Sequence, residues 1–222
     1  MRTYDVTITG KTPLLMHYDN IEWADFMEAW KDDPANKKLS KPGDDRTPAW
    51  RWLGCTYHDG GALVVPQTNI MKSLMEGGAM VPVPGGKSGK TFKSQTQSGM
   101  MSVEPAWPLL INGQTIRWAD LEALKDEPSF AQHKLYAEAL GFELLVKRAA
   151  VGANKHIRVR PQFAAGWQAT GSIAVWDDQI TDATLRDIFE YAGLYKGIGD
   201  WRPGAPKKPG PYGTFEATIL LQ

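Results

Sequence analysis

The chain has 222 residues, with 25 Lys and Arg against 25 Asp and Glu and a hydrophobic fraction of 42%, the balance of a globular protein long enough to bury a real core. It has no run of 18 apolar residues, no apolar stretch behind Met1-Arg2-Thr3-Tyr4-Asp5, and one cysteine, Cys55, so no membrane span, secretory signal or intramolecular disulfide is expected and a reducing cytoplasm is the expected location. Zero net charge argues against a histone-like polycation, but it leaves nucleic-acid binding open, because the placement of charge decides that.

Residues 3–9 alternate and predict a strand with one buried face. Asn20 is a good N-cap for an amphipathic helix over 20–31 carrying Ile21, Trp23, Phe26, Met27 and Trp30. Residues 32–48 are polar and read as an exposed loop, and 50–57 as an extended piece. Asp59-Gly60-Gly61 is a turn signal, and Ala62–Val65 predict a buried strand ended by Pro66. A helix follows over 67–78, stopped by Gly77-Gly78. Residues 81–103 hold no acid and read as a long loop or extended hairpin. A stretch around Leu109-Leu110-Ile111 turns at Asn112-Gly113, and 118–140 predict two helical pieces separated by Pro128.

The last third is more regular. Strands are expected at 142–150, 155–163 and 169–176, then a helix over 181–195 capped by Thr181 with Leu185, Ile188, Phe189, Ala192 and Leu194 inward, a Gly/Pro-rich loop over 197–213 and a closing strand at 215–221. This order predicts an α+β fold with an antiparallel sheet. No linker marks a place to cut the chain. The nine tryptophans read as core packing or, in part, as stacking platforms.

Candidate chemistry is sparse for an enzyme. Gly85-Gly86-Lys87-Ser88-Gly89-Lys90-Thr91 misses the phosphate-binding P-loop spacing because residue 84 is proline, and no helix-like apolar face follows. The segment reads instead as a basic loop in which Lys87, Lys90 and Lys93 are unopposed by acids. His17, His58, His133 and His156 are scattered, so no metal site and no cofactor are expected. Cys55 reads as structural, and His17 stands where a general base could.

Charge is segregated along the chain. From Leu144 to Trp176 there is no acid, while Lys147, Arg148, Lys155, Arg158 and Arg160 are present. On a strand, His156, Arg158 and Arg160 share one face and Ile157 and Val159 the other, which suits a sheet with one face packed and one holding a phosphate backbone. The acids gather at 177–200 and in 118–140. In the loop Gly197-Ile198-Gly199-Asp200-Trp201-Arg202-Pro203, Gly197 and Gly199 allow close approach to a ligand, Arg202 can fork onto phosphate, and Trp201, or Tyr212 further on, can stack on a base.

That loop, with Tyr212-Gly213-Thr214-Phe215, resembles the glycine-rich loop of the CRISPR-associated RAMP superfamily. Val65-Pro66-Gln67-Thr68-Asn69-Ile70-Met71-Lys72-Ser73-Leu74 is similar to the strand-Pro-helix start of its crRNA-binding backbone subunits, and Ile8–His17 to their first strand. The resemblance implies a ferredoxin-like, RRM-related antiparallel sheet with helices on one face, in one domain over 1–222 with insertions near 18–60 and 80–140. It implies a non-enzymatic binder of single-stranded RNA or DNA that assembles side by side with copies of itself, and with other effector subunits, along its ligand, with no membrane partner. A basic loop such as 84–99 would be the thumb that wedges between nucleotides. The alternatives are a metal-independent endoribonuclease of the same superfamily using His17 or His156 with Lys or Tyr, and a virus-encoded module that docks on such a complex.

Overall fold

In chain order the elements are β1 (Arg2–Gly10), β2 (Leu14–Leu15), α1 (Ile21–Asp32), a 3-10 turn (Ala49–Cys55), β3 (Val64–Pro66), α2 (Gln67–Gly78), α3 (Lys93–Ser98), β4 (Met100–Ser102), β5 (Ala106–Ile111), β6 (Gln114–Thr115), α4 (Trp118–Glu122), a second 3-10 turn (Ala123–Asp126), α5 (Phe130–Ala139), β7 (Glu143–Val151), β8 (Asn154–Phe163), β9 (Gln168–Val175), α6 (Asp182–Tyr191), a π-helical turn (Ala192–Lys196) and β10 (Phe215–Leu221). The computed structural model describes residues 1–86, 89–151 and 154–222, without the side chains of 151 and 154. The fold is mixed helix and antiparallel sheet, as the pattern of elements predicts.

The chain divides into two compact units. The first takes residues 1–14, 64–115 and 164–222, and the second 15–63 and 116–163. The chain passes between them four times, so neither unit is bounded by a linker, which is why none is visible in the sequence. Residues 64–115 belong to the first unit and 116–163 to the second.

The first unit is a sheet in the order β10-β1-β9-β5-β3, with β4 also paired to β9 and β6 to β5. Among the described residues, β1 pairs antiparallel with β10 and β9, β9 with β4 and β5, and β5 with β3 and β6. The alternation of β1 buries Tyr4, Val6 and Ile8 on one face. Ile173 and Val175 of β9 and Phe215 and Ile219 of β10 join them, and α2 and α6 cover this face with Ile70, Leu74, Leu185, Ile188 and Phe189. The glycines that end α2 lie inside its last turn. A Cβ at Gly77 would stand 2.7 Å from the Ala192 nitrogen and the Ile188 carbonyl, so glycine here lets α2 lie against α6. On the other face of the sheet, Asp5 stands opposite Ser172 and Leu220, and Thr7 opposite Thr170 and Thr218.

The second unit holds the sheet β2-β8-β7 with α1, α4 and α5. Asn20 caps α1 by accepting from the Glu22 N–H at 2.9 Å, and Ser129 starts α5 in the same way through Gln132. Its core is aromatic: Trp23 meets Trp50 at 5.6 Å and Trp118 at 6.1 Å, and Trp52, Phe142 and Phe163 lie together. Six of the nine tryptophans are buried, so their main use is packing.

Four local expectations are corrected. Residues 49–55 form a 3-10 turn, not a strand, because Trp50, Trp52 and Leu53 all have to face the core. The polar stretch 32–48 is not wholly exposed, since Asp44 and Asp45 are buried. Residues 81–103 contain α3 and β4, held by Thr96 against Phe92 and by β4 against β9. The helix from Thr181 gives way at Ala192 to the π-helical turn, and this leaves Leu194 50% exposed rather than inward.

Candidate nucleic-acid interface

The acid-free cations lie mostly on the β7–β8 hairpin. Its register sets Lys147 opposite Arg158, Leu145 opposite Arg160 and Ala149 opposite His156. Opposed residues share a face, so Lys147, His156, Arg158 and Arg160 form one cationic face. Arg148 stands opposite Ile157, and Lys155 opposite Ala150, so these two cations lie on the reverse face. The six positions thus separate into two sets, with the larger set on one side. Like charges directly opposite across a ladder repel, so the pair Lys147 and Arg158 favours a counter-anion.

Part of that anion is internal. The loop before the 3-10 turn lies along β8: the Asp45 N–H donates to the Ile157 carbonyl at 3.0 Å and the Ile157 N–H to the Gly43 carbonyl at 2.7 Å. Gly43 has φ +77°, and a Cβ there would crowd the His156 ring. This path puts the Asp45 carboxylate, with 5% of its side chain exposed, among three guanidinium groups. Arg158 reaches Oδ1 at 3.1 Å, Arg51 reaches Oδ1 at 3.2 Å, and Arg160 lies 3.5 Å from Oδ2. Three cations against one carboxylate leave two positive charges at this point. The neighbouring Asp44 adds none, because Arg46 grips it with a two-point fork that holds its carboxyl below the usual carboxylate range.

Arg160 also connects this cluster to the first histidine. Its Nη2 stands 3.1 Å from His17 Nε2. A guanidinium can only donate, so Nε2 accepts and the imidazole proton sits on Nδ1. The Tyr57 hydroxyl donates to the His17 carbonyl at 2.9 Å, and the Tyr57 ring lies 5.6 Å from that of Tyr18, which is 44% exposed. Arginines, His17 and Tyr18 line a cavity of about 310 Å3 whose wall includes Trp23, Trp52 and Cys55. Asp45, Arg51, Tyr18 and Tyr57 had no signal in the sequence: the carboxylate lies in a stretch that reads as solvated, and no periodicity marks the others.

The remaining expected residues belong to the first unit. Lys90 and Lys93 are exposed, Lys93 at the start of α3, while Lys87 lies outside the described residues. Gly197, Gly199 and Gly213 have φ of +65°, +80° and +71°. At Gly197 and Gly213 the close approach is made by the chain itself: a Cβ on Gly213 would collide with the Ile198 carbonyl, and one on Gly197 would stand 2.9 Å from the Gly213 carbonyl. Trp201 also has positive φ, +49°, and stacks on Tyr212 with ring centres 5.6 Å apart. Arg202, expected to fork onto phosphate, is buried and forks onto Glu76 at 2.6 and 3.0 Å, with a third bond to the Lys196 carbonyl. The glycine-rich loop is therefore held in part by its own backbone, by the Trp201 and Tyr212 stack and by the Arg202 and Glu76 ion pair. The face of the first sheet opposite α2 and α6 carries Thr3, Asp5, Thr7 and Thr9 on β1 and Gln168, Thr170 and Ser172 on β9, with no cation at these positions.

Among the described residues no group of three His, Cys, Asp or Glu side chains could hold a metal ion, and no helix is long and apolar enough to cross a membrane. No protein-family model matches the chain, and no curated protein matches it in sequence.

Proposed function

We propose that this chain binds single-stranded nucleic acid, RNA in the first instance, through the cationic face of its second unit. The observation that carries the reading is the convergence of Arg51, Arg158 and Arg160 on one buried carboxylate, beside Lys147 on the same face. Phosphate contacts supply affinity here, and Tyr18 at the cavity rim offers a ring on which any base can stack. The exposed Lys90 and Lys93 add a second basic segment in the first unit.

The architecture is in keeping with a RAMP-like relative. Within the first unit the elements β1, α2, β5, β9, α6 and β10 follow one another in a βαββαβ order with strand order β10-β1-β9-β5, which supports the finer, ferredoxin-like assignment. On that assignment copies assemble side by side along one strand, as CRISPR backbone subunits do.

The test is fluorescence anisotropy of labelled 20-nucleotide RNA, DNA and duplex probes at several salt concentrations. Binding to single strands with a steep salt dependence is expected, and Arg158→Gln lowers the slope by about one. Absence of binding at low salt overturns the proposal. Metal-free cleavage of the RNA probe that disappears in His17→Ala assigns the cavity to an endoribonuclease instead.

A further inference from the structure

The distribution of charge in the second unit's cavity distinguishes its floor from its rim. Arg160, Arg158 and Arg51 expose only 11, 29 and 31% of their side chains and surround the buried Asp45, leaving two positive charges on the floor. The charged residues that line the rim are Asp19, Glu28 and Lys31, all exposed, which together add one negative charge. His17 is held against Arg160 as an acceptor. A strand running through the cavity would bring successive phosphodiesters against Asp19 and Glu28. A strand end sets its most concentrated charge on the floor and brings fewer phosphodiesters past Asp19 and Glu28 than a strand running through. A phosphodiester has one negative charge, whereas a phosphomonoester carries about −1.5 to −2 at neutral pH, which matches the floor.

We infer that the cavity seats a terminal phosphomonoester of a nucleic-acid strand, with the phosphate on Arg158 and Arg51 and the end nucleotide against Tyr18. The volume of about 310 Å3 is enough for one nucleotide. This assignment rests on the single-strand reading above and narrows it to the chemistry of an end. Body contacts to Lys147 and His156, on the same face of the hairpin as Arg158, continue from there.

The experiment compares four unlabelled competitors against one labelled RNA: a 10-nucleotide RNA with a 5′-phosphate, one with a 3′-phosphate, one with hydroxyls at both ends, and adenosine monophosphate. One phosphorylated strand is expected to compete about tenfold better than the hydroxyl strand, the equivalent of one good charge-assisted contact. Arg158→Gln removes most of that preference, with its melting temperature as the folding control. The exposed Tyr18→Ala weakens all three strands by a similar factor and leaves the preference intact. Competition by the three strands within twofold of one another overturns the end assignment and leaves single-strand binding standing. Failure of the labelled RNA to bind overturns both. Competition by adenosine monophosphate equal to that of the phosphorylated strand overturns the strand-end assignment in favour of a free nucleotide.

Discussion

The indole Nε1 of Trp52 donates to Nδ1 of His133 at 2.9 Å, and the Nε2 of the same ring donates to the Glu127 carbonyl at 2.8 Å. The imidazole is fully buried, so both ring nitrogens are committed and the neutral tautomer is fixed. A second proton would have to enter at Nδ1, facing another donor. Burial accordingly holds His133 below its ordinary value, and it does the same to His58, which stacks on Trp118 at 3.6 Å. For a histidine depressed in the folded state the unfolded chain takes up the proton first. Stability is therefore full above about pH 6.5 and declines as pH falls below it, until the folded histidine itself protonates. Denaturant titrations at pH 7, 6 and 5 should show a falling free energy, at most about 1.4 kcal/mol per pH unit for each histidine. A flat profile would show that burial does not keep these rings neutral.

Trp52→Phe keeps most of the packing volume and removes the donor to His133. It should cost about 1–3 kcal/mol in urea unfolding, the usual penalty for a buried polar atom left without its partner.

The Arg202 and Glu76 fork lies in the first unit, with 9 and 24% of the two side chains exposed. Arg202→Met leaves the carboxylate and the Lys196 carbonyl without their donor. The expected result is a loss of about 3 kcal/mol in stability, with nucleic-acid affinity of the folded protein changed less than twofold. Loss of affinity at unchanged stability would return Arg202 to the phosphate-binding set.

Arg148→Gln and Lys155→Gln lie on the reverse of the hairpin from Lys147→Gln and Arg158→Gln. If the cationic face binds phosphate, the latter pair each lower the salt slope by about one, and the former pair lower it by much less. Equal effects from all four would mean that the hairpin acts through net charge alone.

Gly213→Ala places a Cβ against the Ile198 carbonyl at φ +71°, where neither clash nor backbone can relax without opening the loop. A loss above about 3 kcal/mol, read by thermal melting, is expected.

Much of the fold was legible because its signals are local. The alternation of residues 3–9, the caps Asn20 and Thr181, and the turn at Asn112-Gly113 each act within a few residues. Two helix assignments depended on distant partners and were harder. Gly77 and Gly78 end α2 as expected, but they also let it lie against distant partners, α6 at Gly77 and Thr96 of α3 at Gly78, and Ala49–Cys55 coil because three aromatic or aliphatic side chains must turn inward together. Arg51 lies outside the acid-free stretch, but the hairpin cations Lys147, Arg158 and Arg160 were visible in it. Their key counter-ion was not, because Asp45 looks like any solvated aspartate until the loop at 43–45 is seen paired to Ile157. The glycine-rich loop was read as open to a ligand because sequence shows which residues permit a close approach, not what makes it.

The first strand, β1, sets an order of events during synthesis. β1 pairs with β9 on one side and β10 on the other, both more than 150 residues later in the chain. A nascent chain therefore exposes Tyr4, Val6 and Ile8 until residues beyond 168 have left the ribosome, whereas the β7–β8 hairpin of the second unit can close as soon as it emerges. The second unit has its segments complete at residue 163, well before β10 exists. The cationic face is thus free to form first, and the sheet of the first unit is the late, long-range and slow step of folding.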